Sequence, residues 1–404
     1  MQRKSAIYVI LMTLFIDSMG FGIIGPVVPS LLKELAPGYA PAFLGGLLLT
    51  TYAVMQFFFG PIFGGLSDQF GRRPILLASL FGFGIDYLIT AVTPSIGWLF
   101  FARFFAGIMG ASFTTGSAYI SDISTPENRA SNFGLIGVAF GLGFIAGPVI
   151  GGYLGDIDTR MPFYVAAGFT LLNWLLAFFL LPESLKAENR RRFEWKRANP
   201  FGTFKSLLKY DSIRPLIVSL ALVYLSAQAV QSNWNFFTDK KFGWGPEEIG
   251  KSLMVVGIVF AVVQGLLIRI ILKKLGTNRS VYVGLGFYTL GLILFAFAGS
   301  SWMMYAFTVV YCLGGISNPA IQSIIATTVP PNAQGELAGG FTSMMSLSTI
   351  VGPLLMNVFL FTWFTSKTAP VYFPGISMFV GAILCLIATL IAWSALKKPA
   401  PVAA

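Results

Sequence analysis

The sequence predicts an all-α polytopic membrane protein of twelve transmembrane helices in two pseudo-symmetric six-helix bundles. Three observations carry this reading. Of 404 residues, 55% are hydrophobic and only 11% charged, with a mean hydropathy of +0.76, whereas a soluble domain carries about 25% charged residues. The apolar residues fall in blocks such as Ile7 to Leu32, Leu80 to Val92 and Ile376 to Leu396, the pattern of helices that cross a hydrocarbon layer of about 30 Å. The chain also repeats itself. At an offset of 205 residues Gly110 falls on Gly315, Ser112 on Ser317, Pro126 on Pro331, Gly134 on Gly339, and Gly147-Pro148 on Gly352-Pro353. Gly and Pro govern helix approach and helix ends, so matches at these residues imply one six-helix unit built twice.

Each span lies between Gly, Pro and charged breaks. Helix one, 6–31, covers the block from Ile7 and stops before Lys33. Helices two and three, 43–66 and 75–93, flank Gly71-Arg72-Arg73-Pro74. Helices four and five, 97–120 and 132–154, flank Arg129, and helix six, 162–181, follows Arg160. A polar loop, 182–212, divides an N-terminal bundle, 1–181, from a C-terminal one, 213–404. Helices seven to twelve fall at 213–237, 249–272, 280–299, 302–327, 336–363 and 371–396. When alternate loops are assigned to two sides, 20 of the 27 Lys and Arg residues share one side, nine of them from Lys186 to Arg214. The positive-inside rule then puts that loop and both termini in the cytoplasm, for a multi-pass protein of the cell (inner) membrane.

Several classes are excluded or disfavoured. The formal net charge of +11 is scattered over loops and forms no clustered basic face, so nucleic acid is not an expected partner. Cys312 and Cys385 lie inside apolar spans and behave as small buried hydrophobes, giving neither a disulfide framework nor a metal site. The first apolar run is too long for a signal peptide and reads as a retained span. Gly245 to Ser252 matches G-x-x-x-x-G-K-S, but no strand precedes it and Glu247 and Glu248 would repel phosphate, so it is not a phosphate loop. Asn278-Arg279-Ser280 matches a glycosylation acceptor on the cytoplasmic side and carries no information. The expected partners are the lipid bilayer and a small-molecule substrate, with one chain as the working unit.

Charges inside the spans point to the chemistry. Asp17 lies near the middle of helix one, Asp86 near the middle of helix three, and Arg103 about a turn and a half into helix four. Each costs several kcal/mol in lipid unless it faces a cavity or a partner, so each marks function by default. There is no histidine, which leaves proton exchange to carboxylates or water. Asp17 and Asp86 are candidate carriers, because a bound proton removes the charge whose burial is costly. A carboxylate that exchanges Arg103 for a proton would be a coupling device. The alternative is a permanent Asp–Arg pair that holds helices one and four together.

Two small-residue clusters follow. Gly64-Gly65-Leu66-Ser67-Asp68-Gln69-Phe70-Gly71-Arg72-Arg73-Pro74 closes helix two. Gly64 and Gly71 permit a close helix approach and a tight turn. Asp68 is expected to meet a helix N-terminus or a basic residue across the interface of the halves, in a contact that breaks when the protein switches face. Arg72 and Arg73 complete this candidate switch, although a plain basic loop holding one Asp fits the composition as well. In helix five, Gly143, Gly147 and Gly151 recur every four residues beside Pro148 and Gly152. That spacing lets backbones approach, and Pro148 removes an i→i−4 bond and bends the helix. Ordinary helix packing explains the spacing, but not the Gly-Pro-x-x-Gly-Gly order.

Uncharged polar residues inside the spans are cavity candidates: Gln56, Gln228, Gln231, Asn235, Gln264, Asn318 and Gln322, with Asn173, Asn233 and Asn357 as further members. With 39 Phe residues in the chain, a cavity of aromatic and a few polar groups suits an amphipathic organic molecule.

These motifs resemble those of the major facilitator superfamily over essentially the whole chain. The 64–73 segment is similar to its loop 2–3 signature. Leu99 to Gly110, with Arg103 and Gly107, resembles its fourth-helix motif, and Gly143 to Gly152 its fifth-helix antiporter motif. More narrowly, Asp17 to Pro29 (Asp-Ser-Met-Gly-Phe-Gly-Ile-Ile-Gly-Pro-Val-Val-Pro), Asp68 to Pro74, Asp86-Tyr87 and Phe242-Gly243-Trp244 are similar to the tetracycline:proton antiporters among twelve-span drug exporters. The resemblance implies the major facilitator fold, essential carboxylates at Asp17 and Asp86, a loop acid at Asp68 and a proton-transfer role for Arg103. Gln69 stands where a basic residue usually follows the loop acid. Phe260 and Tyr288 stand where one family member has a histidine in helix eight and an aspartate in helix nine, so the C-terminal half lacks an evident proton carrier. No cofactor is expected. The proton is the coupling ion, and whether a divalent cation accompanies the substrate stays open.

The function expected is a proton-coupled efflux antiporter for amphipathic organic compounds, tetracycline-like or multidrug, working by alternating access. The alternatives are a metabolite uptake carrier of the same fold and a non-transporting membrane receptor. An enzyme finds no support, because the sequence offers no nucleophile–base or metal-ligand constellation.

Overall fold

The computed structural model describes residues 2–125, 127–195, 213–329 and 334–397. Pro126, Pro331, Lys398 and the 196–212 part of the connecting loop lie outside them. Among the described residues the regular structure is helical, and twelve helices are long and apolar enough to cross a membrane. They are α1 (Ala6–Leu35), α2 (Pro41–Phe70), α3 (Arg72–Val92), α4 (Ile96–Ile123), α5 (Ser131–Ile157) and α6 (Met161–Leu180). The second set is α7 (Arg214–Gln231), α8 (Pro246–Leu275), α9 (Thr277–Phe297), α10 (Ser301–Thr328), α11 (Leu337–Phe364) and α12 (Ile376–Lys397).

Local chemistry explains where these helices depart from the sequence reading. α1 runs on to Leu35 through a 3₁₀ turn at Gly25–Val27, where Pro26 supplies no N–H. The seventh span was expected over 213–237, but α7 stops at Gln231 and a separate helix, Trp234–Phe242, follows Ser232-Asn233. π-helical stretches occupy Val263–Leu267 in α8 and Leu354–Phe361 in α11. The second begins directly after Pro353, whose missing donor loosens the regular ladder. The internal repeat has a structural counterpart. α4 is interrupted at Gly110-Ala111 and α10 turns 3₁₀ at Gly314–Ile316, one offset apart.

The chain forms two compact units. The first takes in Met1–Pro41, Thr51–Asn199 and Trp244–Met254, and the second Ala42–Thr50, Pro200–Gly243 and Val255–Ala404. Two segments therefore group against the division at 182–212: Ala42–Thr50 packs with C-terminal elements, and Trp244–Met254 with N-terminal ones. In the first unit, Ile10 and Leu14 of α1, Leu76 and Leu80 of α3, and Tyr119 and Ile120 of α4 form a buried core. In the second, the Ser219 and Ser226 hydroxyls of α7 donate to the Ala388 and Gly381 carbonyls of α12 at 2.9 and 2.7 Å. Such bonds join helices where apolar burial gives little preference over lipid.

Candidate functional site

The intramembrane charges of the first unit converge. Asp86, on α3, is fully buried and forms an ion pair with Arg103 on α4. Arg103 Nη2 also lies 3.4 Å from the Thr90 hydroxyl. Asp86 Oδ1 and Arg103 Nε have no partner among the described residues. Asp17, on α1, is buried, and its carboxyl is hydrogen-bonded to the Ser112 side chain of α4. Its Oδ2 is buried with no hydrogen-bond partner among the described residues. The Asp–Arg pair considered for helices one and four is thus formed between α3 and α4, and Asp17 forms no ion pair among the described residues.

Two tyrosines complete the cluster. Tyr87 reaches α1 at Gly20, where a Cβ would lie only 2.7 Å from its hydroxyl oxygen. Tyr52, on α2, accepts a 3.2 Å hydrogen bond from the Gln56 amide, which also donates to the Gly110 carbonyl at 3.2 Å. Both hydroxyls lie in electrostatic reach of Asp17, Asp86 and Arg103. Phe21 joins this wall edge-on to Tyr52 and Phe83, with centroids 6.0 and 5.7 Å apart. Sequence reading gave neither tyrosine a role, because an aromatic residue inside an apolar span looks like core.

The α2–α3 corner is a charge network within the first unit. Gly71 alone separates the helices, at φ +105°, and a Cβ there would lie 2.3 Å from Glu183. Glu183 accepts the Arg72 and Arg73 backbone N–H groups at 2.8 and 3.2 Å, satisfying two donors of the α3 N-terminus. Arg72 pairs with Asp68 at 2.6 Å and Asp122 at 3.1 Å, and donates to Ser67 at 2.7 Å. Arg73 donates to the Phe178 carbonyl at 2.5 Å. The start of the connecting loop lies over this corner: Arg191 N–H donates to the Asp68 carbonyl and Phe193 N–H to the Gln69 side chain. The close helix approach expected at Gly64 is not found, and the contact next to it is with the connecting loop. A Cβ at Gly64 would meet nothing within 4 Å, whereas one at Gly65 would lie 2.7 Å from Phe193. Glu183 was read only as part of a polar loop, and its capping role was missed.

In α5, three glycines press on the α1 backbone. A Cβ at Gly143 would lie 2.5 Å from the Phe15 carbonyl oxygen, at Gly147 2.4 Å from that of Met19, and at Gly151 2.0 Å from that of Ile23. Gly152 faces another neighbour, the start of α8: a Cβ there would lie 2.6 Å from the Pro246 carbonyl oxygen, and one at Gly250 would lie 2.3 Å from the Pro148 carbonyl oxygen. Of residues 245–252, which mimic a phosphate-loop string, 246–252 are accordingly the packed first turns of a helix.

In the second unit the polar candidates form separate groups. Gln322 donates to Tyr224 and Asn318 at 2.9 and 2.8 Å, and Gln264 to the Gly315 carbonyl at 3.0 Å. Gln228 donates to Gln231 at 3.3 Å and packs against Gly352. Asn235 carries a buried side-chain oxygen on the short helix Trp234–Phe242. Tyr288, at the position implied to hold an acid, shares a 2.8 Å hydrogen bond with Tyr311. Phe260 packs beside Gly315.

Comparison with known proteins places these features in context. The family model of the Major Facilitator Superfamily matches residues 10–314. The class C tetracycline resistance protein of Escherichia coli is 38% identical over 387 residues, covering 96% of each chain. The class H tetracycline resistance protein of Pasteurella multocida is 33% identical over 405 residues, covering 99% of this chain and 98% of that one. Among solved structures, the nucleoside transporter NupG superposes with a TM-score of 0.78 at 14% identity, covering 98% of this chain and 100% of that one. The human organic anion transporter MFSD10 does so with 0.70 at 22% identity, covering 96% and 99%. At these identities the two structures speak to the fold alone.

Proposed function

We propose that this chain, which belongs to the Major Facilitator Superfamily and is therefore a multi-pass membrane transporter and not an enzyme, is a proton-coupled exporter of amphipathic organic compounds. The observation that carries the reading is Asp17: a carboxyl buried in mid-span, with one oxygen that has no partner among the described residues, while the arginine of the same unit is committed to Asp86. Such a group has a reason to be retained only if something binds and leaves it. The resistance of bacteria to tetracyclines named for the relatives supports tetracycline-like compounds as the substrate class.

The cycle follows from alternating access. With the site open to the outside, Asp17 takes a proton, with Asp86 and Arg103 beside it, and substrate leaves. With the site open to the cytoplasm, the proton is released and new substrate binds. Tyr224, Asn318, Gln322 and Gln264 are hydrogen-bonding groups of the second unit, and Gln56 and Tyr52 of the first. Gly71, Asp68, Arg72 and Arg73 bias the exchange between states. The protein works as a single chain in the inner membrane, with both termini in the cytoplasm, without nucleic acid or a resident cofactor. A divalent cation, where one travels, is part of the substrate.

The test is drug-driven proton movement in everted vesicles, with tetracyclines beside lipophilic cations and neutral drugs, each with and without Mg²⁺. A compound that dissipates the pH gradient with the parent chain, and at least tenfold less with Asp17→Asn, establishes the exchange. A folded, inserted protein that moves no protons with any compound, yet accumulates a metabolite in intact cells, overturns export in favour of uptake.

A further inference from the structure

The start of the connecting loop is held against the first unit by its own backbone. It makes a 3₁₀ turn at Ala187–Asn189, where the Asn189 and Arg190 N–H groups donate to the Lys186 and Ala187 carbonyls at 3.0 and 3.2 Å. The Arg191 N–H then donates to the Asp68 carbonyl at 3.0 Å, and the Phe193 N–H to the Gln69 side chain at 3.1 Å, with the Phe193 ring laid on Gly65. Trp195 meets that ring edge-on, with centroids 5.0 Å apart, and is 73% exposed. This strap presents three consecutive arginines, Arg190, Arg191 and Arg192, all of them exposed.

These three side chains differ from the other arginines of the unit. Arg72 pairs with Asp68 and Asp122, Arg103 with Asp86, and Arg160 with Glu34, while Arg73 donates to the Phe178 carbonyl and Arg129 to the Ser121 hydroxyl. The guanidinium groups of Arg190, Arg191 and Arg192 form no ion pair among the described residues. With Lys186, and against Glu188 and Glu194, residues 186–195 hold four positive and two negative charges. That is too small a surplus for a nucleic-acid face, and an exposed arginine is content in water. Position is what singles the triplet out.

α2 has 30 residues, a length of about 45 Å at 1.5 Å per residue. A bilayer measures about 40–45 Å with its headgroups and about 30 Å without them, which leaves roughly 5–8 Å of headgroups at each face. Gly65 lies about 7.5 Å along α2 from its end at Phe70. Phe193 and its neighbour Trp195 are therefore level with the edge of the hydrocarbon layer, where aromatic rings collect, and Arg191, bonded to Asp68, is level with the headgroups. We propose that Arg190, Arg191 and Arg192, with Trp195 beside them, form a docking site for an anionic phospholipid of the inner leaflet. The lipid phosphate accepts from the guanidinium groups, whose planar forks match phosphate oxygens, and the indole lies along the first carbons of the acyl chains. An anionic leaflet supplies the complementary charge. The proposal rests on the cytoplasmic orientation given above and on no step of the transport cycle.

Phosphatidylglycerol is the probe, with phosphatidylcholine as the uncharged comparison. The full-length protein in dodecyl maltoside is titrated with each lipid, and the lipids retained per chain are counted by native mass spectrometry. The parent should take up its first phosphatidylglycerol at a concentration at least about fivefold below that for phosphatidylcholine, and at least about fivefold below that for the Arg190→Gln, Arg191→Gln, Arg192→Gln triple variant. The same number of charges is removed elsewhere by Lys273→Gln, Lys274→Gln, Arg279→Gln, exposed residues of the α8–α9 corner, and that variant should keep the parent curve. Equal uptake of the two lipids overturns the proposal. So does an equal loss in the two triple variants, which would show a response to net charge alone. Displacement of the lipid by glycerol 3-phosphate at equal concentration overturns it as well, by assigning the arginines to a free phosphate ester. Orientation is read separately, since micelles leave both faces open. Trypsin should cut the connecting loop in everted vesicles and not in right-side-out ones, and the reverse pattern overturns the inner-leaflet assignment even where the titration succeeds.

Discussion

Two glycines on one helix, six residues apart, should respond oppositely to the same substitution. A Cβ at Gly147 would lie 2.4 Å from the Met19 carbonyl oxygen and 2.8 Å from the Gly22 Cα. Ordinary contact begins near 3.4 Å, so Gly147→Ala forces the α1 and α5 backbones apart by about 1 Å. The obstacle is backbone, with no side chain to rotate away, so the cost falls toward the upper end of the roughly 1–3 kcal/mol seen for overpacked cores. Alanine returns up to about 1 kcal/mol of helix propensity over glycine, leaving a net loss of about 2 kcal/mol. At Gly141 a Cβ would meet nothing within 4 Å, so Gly141→Ala keeps only the gain. The two variants should differ by about 3 kcal/mol, or roughly 6–12 °C in melting temperature for a unit of this size. Thermal unfolding of the purified protein, followed by fluorescence-detected size exclusion, measures this. Melting temperatures within about 2 °C of each other would refute the backbone contact between α1 and α5.

Arg103→Met leaves the buried Asp86 carboxyl without its partner and should destabilise the protein by up to about 3–5 kcal/mol. Adding Asp86→Asn should restore part of that loss, because the amide carries no charge to bury, and the double-mutant cycle by thermal unfolding reads the coupling. Lys241 lies outside the spans, and desolvation holds its amine below the ordinary value of 10.5. The unfolded chain therefore binds this proton more strongly, so the folded state gains stability as pH rises through the window between the folded value and 10.5. Acetylation of Lys241 followed against pH should be half-maximal below the pH at which a free lysine side chain reacts, and a midpoint at or above 10.5 sinks this reading.

Hydrophobicity made the spans legible, since a helix in lipid must be apolar for about twenty residues and a loop must not. Asp17, Asp86 and Arg103 were legible for the same reason, as charges where lipid should exclude them. Their pairing was not. Arg103 reaches Asp86 because α3 and α4 turn the two inward at one level, and span boundaries uncertain by a few residues leave each helix free to rotate by more than one face. The break at Ser232-Asn233 carries neither Gly nor Pro, and nothing in the local sequence announced it. Glu183 was hidden by distance along the chain, 111 residues from the N–H of Arg72 that it caps.

The contact between α1 and α5 has a mechanical consequence. Two helices separated by side chains can slide or roll as rotamers adjust, but here carbonyl oxygens occupy the places where side chains would begin. α1 and α5 are therefore one girder. Asp17 sits on one flange of it, and Pro246 and Gly250 lean on the other through Gly152 and Pro148. Discharging Asp17 then bears on the whole girder and on the first turns of α8 together, and no side chain is available to absorb the motion between them.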